Sequence, residues 1–561
     1  MIYLLSQILD RSAEQFPERE AFRCEGKGLT YAELASRANG LAHWLMMQGV
    51  QRGDRVGLYL SKSLESAIAL YGIWKAGAAY VPLDPSTPLK RTAYAINHCG
   101  IRHLITQKSK RAKVAELLPE TPDVSCVIGL PDDFPLDRPM ARPLSRCDWA
   151  DIPESEAPPT VRLVEQDLAY IMYTSGSTGT PKGMMHTHRS GLSYAKLAAH
   201  TYGLHRDDRL GNHSPLHFDI STLGFFAGPL VGATTVIIPE AYTKVPASLS
   251  QLIQDEALTV WYSVPFALIQ LLLRGVLTER DLSTLRWVLF AGETFPAKHL
   301  YTLMQHLPQA RFSNIYGPAE TNQCSYYHIP PLTAGEPIPE TVAPIGQIWG
   351  NSEERVVDNQ DQPVSPGDVG ELLIRTPTLM SGYWQRPDLN EKVFYECQIA
   401  NQTARFYRTG DLVYQLPDGN YQFIGRKDRQ IKTRGYRVEL DEVEATLVAH
   451  PQVEEAATYA VPHKAENHDT GSHQIEAAVI LKPDATLAET DLKRYLAERL
   501  PAYAVPSRVA IASTFPRTGT GKIDRRAIKE QALTKAGGAG EAEGAEEESM
   551  KNTSQFRLPT S

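Results

Sequence analysis

No two cysteines in this sequence stand in Cys-x-x-Cys spacing or beside histidines at a zinc-like interval. Cys24, Cys99, Cys126, Cys147, Cys324 and Cys397 are scattered, so neither a disulfide framework nor a structural zinc is indicated, and a reducing cytoplasm is the expected setting. An excess of positive charge is also lacking. Lys and Arg number 57 against 65 Asp and Glu, a formal net charge of −8, which leaves no basic face for a phosphate backbone and argues against a nucleic-acid partner. No apolar run approaches bilayer-spanning length, and the start, Met1 to Asp10, has no basic leader region. The chain reads as soluble, unexported and not membrane-bound.

What is present is length and pattern. At 561 residues and 42% hydrophobic content the chain exceeds what one core accommodates, so at least two domains are expected. Leu4, Leu5, Ile8 and Leu9 recur at helical spacing, and Tyr31 to Met47 predicts a helix with Leu34, Leu41 and Leu45 on one face. Short β-like runs at 55–60, 103–106, 168–173, 234–238, 259–263 and 287–290 alternate with helical stretches, the pattern of an α/β protein with largely parallel sheets. From about Ala343, clusters of Gly, Pro and Asp predict a more antiparallel, barrel-like piece. Residues 131–159 read as a surface connection. Residues 536–561 run through Gly, Ala and Glu and predict a disordered acidic tail.

The run at 168–173 leads into Thr174-Ser175-Gly176-Ser177-Thr178-Gly179-Thr180-Pro181-Lys182-Gly183. Hydroxyls, a lysine and glycines that turn backbone N–H groups toward one point suit a phosphate chain. It is not a Walker loop, because Lys182 is followed by Gly183 and not by Ser or Thr. A plain flexible linker is disfavoured by Pro181 and Lys182 at the end of a strand. A second Gly-Lys segment, Thr518-Gly-Thr-Gly-Lys522-Ile-Asp524, reads alone as a turn with a solvated lysine.

The chain also carries, in order, Asn314-Ile-Tyr316-Gly-Pro-Ala-Glu320-Thr321, Tyr407-Arg-Thr-Gly-Asp411-Leu, Gly425-Arg426-Lys-Asp428 and Arg434-Gly-Tyr-Arg-Val-Glu-Leu440. Together with the two lysine segments these resemble the adenylate-forming superfamily, which includes acyl-CoA synthetases, luciferases and adenylation domains of nonribosomal peptide synthetases. The likeness runs from about Leu29 to Ile528, and 75–84 and 500–503 resemble the amino-acid-activating branch.

The resemblance implies a large α/β core at 1–427, a small α+β lid at 428–535 and a hinge at Asp428. It implies that Thr174, Ser175, Gly176, Ser177, Thr178, Gly179 and Lys182 hold phosphates, that Tyr316 stacks on adenine with Asn314 at its edge, and that Asp411 takes the ribose diol with Arg426 assisting. Glu320 and Thr321 are expected to hold magnesium and phosphate, a carboxylate being suited to a hard cation. Lys522 is expected to bring the substrate carboxylate and ATP together. For a second step the lid is expected to rotate, withdrawing Lys522 and bringing the Gly435 segment to a tunnel for a pantetheine thiol.

Residues 217–223 resemble the family's amino-acid-binding motif, in which Asp219 pairs with the α-ammonium; a helix-capping role is the plainer alternative. The remaining pocket positions implied are Ile220, Leu223, Tyr262, Leu289, Ala291, Ile315, Gln323 and Cys324, a mostly apolar lining that expects a small, uncharged amino acid. The set is similar to those of stand-alone prolyl-activating enzymes, so L-proline is the expected substrate, with ATP and magnesium. Gln323 departs from the apolar residue expected at its position, which leaves proline, valine-like and alanine-like substrates open. Only a short helix, 524 to about 535, and the acidic tail follow Lys522, so the acceptor thiol is expected on a separate carrier protein, attracted by Arg426, Lys427, Arg429, Lys432, Arg434 and Arg437. The rival readings are an acyl- or aryl-CoA synthetase and a catalytically degenerate nucleotide-binding paralogue. The pair His186 and His188 lacks further ligands at metal spacing.

Overall fold

Strands with both faces covered by helices need near-continuous apolar sequence, and the central strands here have it. Arg209–Asn212, Thr234–Ile237, Val260–Ser263, Trp287–Ala291 and Arg311–Tyr316 pair in parallel and are buried along most of their lengths. They form the middle of a nine-stranded sheet closed at its edges by antiparallel partners. A second, eight-stranded sheet contains Arg55–Tyr59, Ala79–Pro82, His103–Thr106 and Leu168–Thr174. The computed structural model describes residues 1–136, 143–176, 180–332, 339–465, 468–518 and 522–534. Ser177, Thr178, Gly179 and the tail expectation for 536–561 lie outside the described residues.

The predicted helix forms over Tyr31–Met47, and Thr30 and Glu33 close a capping box that satisfies the first free amides. After the sheets comes the antiparallel piece. Glu353–Val357, Gly370–Arg375, Gln402–Gln415, Phe394–Ile399 and Tyr421–Arg426 make a five-stranded sheet. One difference from the sequence reading concerns 131–159, where Ser145–Cys147 adds a parallel strand to the edge strand Cys126–Ile128. A three-residue strand carries no periodic signal of its own; the neighbouring edge supplies its reason.

Beyond residue 430 the chain builds a small α+β unit. Val453–Ala465, His468–Leu481 and Arg508–Ile511 form a sheet packed by Leu440–Val448 and Glu489–Ala497, with the ribbon Gln430–Thr433 and Tyr436–Glu439 on one side. Among the described residues, apolar clusters fall either before residue 424 or after residue 430. The two parts meet outside these clusters, through ion pairs, hydrogen bonds and ring contacts such as that of Phe218 with Tyr436. No helix among the described residues is long and apolar enough to cross a membrane.

Candidate active site

The carboxyl ends of parallel strands are where a sheet of this type leaves a crevice, and the main cavity opens there. Strand register decides which side chains reach it. Tyr262 pairs with Leu289, and Ala291 with Ile315, so these four share one face of the sheet. Tyr262, Ala291 and Ile315 line the cavity together with Asp219, Ile220 and Gln323. Leu289, two residues deeper than Ala291, is fully buried beneath them, and Leu223 packs in the same apolar cluster without lining the cavity. Cys324 packs instead beside Tyr316 and Ile345.

Asp219 accepts the Ile220 amide at 2.9 Å. Among the described residues no lysine or arginine pairs with it. Burial pushes its carboxyl up to about 6, against the Ile220 amide and the Lys432 and Arg437 charges, which lower it. An anionic group at the end of an apolar pocket, short of a cation, is ready for one from a ligand.

A buried charged cluster adjoins the cavity through Arg437. Glu320, fully buried, is 2.7 Å from Arg437 and 3.8 Å from Lys182, and accepts the Tyr383 hydroxyl at 2.5 Å. Burial would raise its carboxyl, but the Arg437 and Lys182 charges and these hydrogen bonds hold it well below the usual carboxylate range. Lys182 also sits 4.8 Å over the Tyr383 ring, and burial lowers its ammonium. Thr321 is buried, its hydroxyl donating to the Pro318 carbonyl at 3.0 Å.

Thr174 and Ser175 line the cavity at the tip of an antiparallel pair in which Thr174 faces Lys182. At Gly176 a Cβ would lie 2.1 Å from the Thr180 carbonyl oxygen, so the turn requires glycine. Asp411 and Arg426 also line the cavity, 2.5 Å apart, and Arg426 grips Asp428 at 2.6 and 2.7 Å. Tyr316 stands behind this wall with its hydroxyl donated to Asp411, and Asn314 donates to the Pro344 carbonyl at 2.8 Å.

Residues of the C-terminal unit complete the enclosure. Lys432, Gly435, Tyr436, Arg437 and Tyr503 line the same cavity, and Tyr436 stacks on Tyr503 at 3.9 Å. Gly435, at φ +84°, lies so close to Val264 that a Cβ would approach it to 2.8 Å. Its amide donates to Glu293 at 2.8 Å, and the Ser472 hydroxyl donates to the same oxygen at 2.9 Å. Ser175 donates to the Arg437 carbonyl at 3.0 Å, and Arg91 pairs with Glu442 at 2.6 Å. Lys522 is exposed and absent from the lining.

Residues 9–384 match the AMP-binding enzyme family, and residues 442–522 match the AMP-binding enzyme C-terminal domain. The chain belongs to the AMP-binding enzymes. As a member it is an AMP-forming ligase. It is 33% identical, over 94% of its length and 99% of the relative's, to the L-proline--[L-prolyl-carrier protein] ligase of Pseudomonas fluorescens. It is 33% identical over 94% of its length to tyrocidine synthase 1 of Brevibacillus parabrevis, of which it spans 45%. Among solved structures, the amide bond synthetase McbA from Marinactinospora thermotolerans superposes with a TM-score of 0.79 at 25% identity, covering 93% of this chain and 99% of that one. The Vibrio cholerae adenylation domain AlmE, at 24% identity, shares the fold, with a TM-score of 0.80 over 95% and 98% of the two chains.

Several residues of this AMP-binding enzyme's cavity escaped the sequence reading. Of the six basic residues expected to attract a carrier protein, Lys432 and Arg437 point into the cavity. Arg426 and Lys427 pair with acids at 2.5–3.2 Å, and Arg429 pairs with Asp441 and Glu444. Only Arg434 is both exposed and outside these ion pairs. Asn322 holds φ +59° and ψ −72°, a strained setting for a residue with a side chain. Before it Glu320 meets Arg437 and Tyr383, and after it Gln323 meets Tyr262 and Tyr194. His186 donates to the Ala319 carbonyl and stacks on Tyr170, whereas His188 accepts the Leu5 amide; the pair serves packing. Among the described residues no group of three or more His, Cys, Asp or Glu is placed to hold a metal.

Proposed function

We propose that this enzyme activates a small, uncharged amino acid, L-proline first among candidates, as its acyl-AMP and passes the acyl group to the phosphopantetheine thiol of a separate carrier protein. Asp219 carries the reading: a carboxylate without a cationic partner at the end of the pocket formed by Ile220, Tyr262, Ala291 and Ile315. The likeness to a prolyl-carrier protein ligase over nearly both whole chains supports proline and the carrier. A fatty or aryl acid would leave Asp219 buried with its charge unmet.

Adenylation requires the amino acid's carboxylate to attack the α-phosphorus of ATP in line while pyrophosphate departs. Thr174, Ser175 and Lys182 are suited to the phosphates and Asp411 to the ribose diol. Glu320, ionised and beside Thr321, has the hard oxygen chemistry magnesium needs, but only once Arg437 has withdrawn from it. Magnesium, when bound, would neutralise charge on the phosphates. Lys522 would then offset repulsion between the two reacting anions, which requires the lid to turn about Asp428 from the arrangement described here. With Gly435 seated against Val264 and Lys522 outside, the present arrangement suits the second step, thiol attack on the acyl-AMP.

Amino-acid-dependent exchange of labelled pyrophosphate into ATP tests this. Exchange with proline or another small neutral amino acid is expected. Exchange only with acids lacking an amino group would replace the reading with a CoA synthetase, and exchange with no acid at all would point to a degenerate paralogue.

A further inference from the structure

Gln323 is 2% exposed and lines the cavity with Asp219, Tyr262, Ala291 and Ile315. Its side-chain nitrogen donates to the Tyr262 hydroxyl at 2.8 Å and to the Tyr194 hydroxyl at 3.3 Å. Its side-chain oxygen is buried and accepts from nothing. A buried amide left half-satisfied is costly, and most such groups in folded proteins find a partner. Ile220, Ala291 and Ile315, which line the cavity with it, are hydrocarbon, and the Tyr262 and Tyr194 hydroxyls are engaged by the amide nitrogen. The partner must arrive with the ligand or as a water.

We infer that Gln323 reads a hydroxyl on the side chain of the activated amino acid, so that the preferred substrates are hydroxylated small neutral amino acids, a hydroxyproline ahead of proline itself. The inference rests on the amino-acid reading above and refines it. A hydroxyl suits the site whichever way the amide is turned. With the oxygen inward it donates to Gln323; with the nitrogen inward it accepts. Tyr262, held by the same amide, fixes the Gln323 rotamer. Asp219 and Gln323 line the same cavity, which lets the ammonium and the hydroxyl be met by different groups of one small molecule.

Sites that hydrogen-bond a substrate hydroxyl discriminate against the analogue lacking it, because the site's own group is then stranded. The test is pyrophosphate exchange with matched pairs, the 3- and 4-hydroxy-L-prolines against L-proline and L-threonine against L-valine, by wild type and by Gln323→Leu. Wild type is expected to favour a hydroxylated member in kcat/KM by roughly tenfold, the worth of one good hydrogen bond. Gln323→Leu is expected to reverse that order. Preference of wild type for the hydrocarbon member in every pair, or equal use of both members because a trapped water already satisfies the amide, overturns the inference and leaves the amino-acid reading intact. Exchange with no amino acid overturns both. The wild-type comparison decides the matter even if Gln323→Leu does not fold.

Discussion

The two walls of the cavity are built by different means. The proposed amino-acid wall is a rigid one, whose side chains are set by strand register in a buried parallel sheet and rest on a continuous apolar core. The other wall belongs to the C-terminal unit, which has its own core and meets the sheets through ion pairs and hydrogen bonds at Arg437, Gly435, Ser472 and Glu442. A wall of packed strands keeps one geometry; a wall docked through contacts that belong to neither core can be exchanged for another. Under the proposed function, selection of the acid would fall to the fixed wall and succession of steps to the exchangeable one.

The sharpest way to break that division is Lys522→Ala. Lys522 is exposed here, so its removal should leave this arrangement, and transfer from supplied acyl-AMP to a carrier thiol, largely intact. Adenylate formation should fall by about a hundred- to a thousandfold, the usual cost of removing one charged group from a transition state. Separate single-turnover assays of the two steps decide it, and equal loss in both would mean that one arrangement serves both.

Glu293 offers the complementary break. One oxygen of this carboxylate receives the Gly435 amide and the Ser472 hydroxyl, so it ties the sheet side to the C-terminal unit. Glu293→Ala should slow transfer by roughly ten- to a hundredfold, the worth of losing charge-assisted hydrogen bonds, while pyrophosphate exchange changes little. Ser472→Ala, which removes one of the two bonds, should lie between. If exchange falls as far as transfer, Glu293 supports the core and not the docking.

How much of this was legible in the sequence follows the same line. The strands and the helix at Tyr31–Met47 were readable because apolar periodicity is local, and the fixed wall followed once Tyr262, Ala291 and Ile315 were matched to a family motif. Leu289 and Cys324 show where matching stops: a motif names a position but not its depth, and both lie beneath or beside the lining. The exchangeable wall was far less legible. Arg437 and Lys432 looked like surface charges, because a sequence gives a residue's identity and not the side on which its unit is docked. Glu293 and Asn322 had no signal, one acting through a bond across 142 positions and the other through its backbone.

Asp219 joins the two walls, and its titration sharpens the comparison by a smaller effect. It stands on the fixed wall, yet its carboxyl, pushed up to about 6 by burial, is pulled back in part by Lys432 and Arg437 from the other. Glu320 acts in the opposite sense, and His217, whose protonation burial also disfavours, adds no positive charge near neutrality. An amino acid keeps its ammonium throughout pH ~5–7.5, so binding follows the ionised fraction of Asp219. As pH falls through about 6 the carboxylate is lost and kcat/KM for the amino acid should drop, approaching about tenfold per pH unit once well below that midpoint. Asp219→Asn should remove this limb of the profile and leave the low rate at every pH. In Glu293→Ala, where the second wall docks less firmly, Lys432 and Arg437 spend less time nearby and the midpoint should move upward. A midpoint that stays put would mean the fixed wall alone sets the charge of Asp219, and that the two walls are electrically independent.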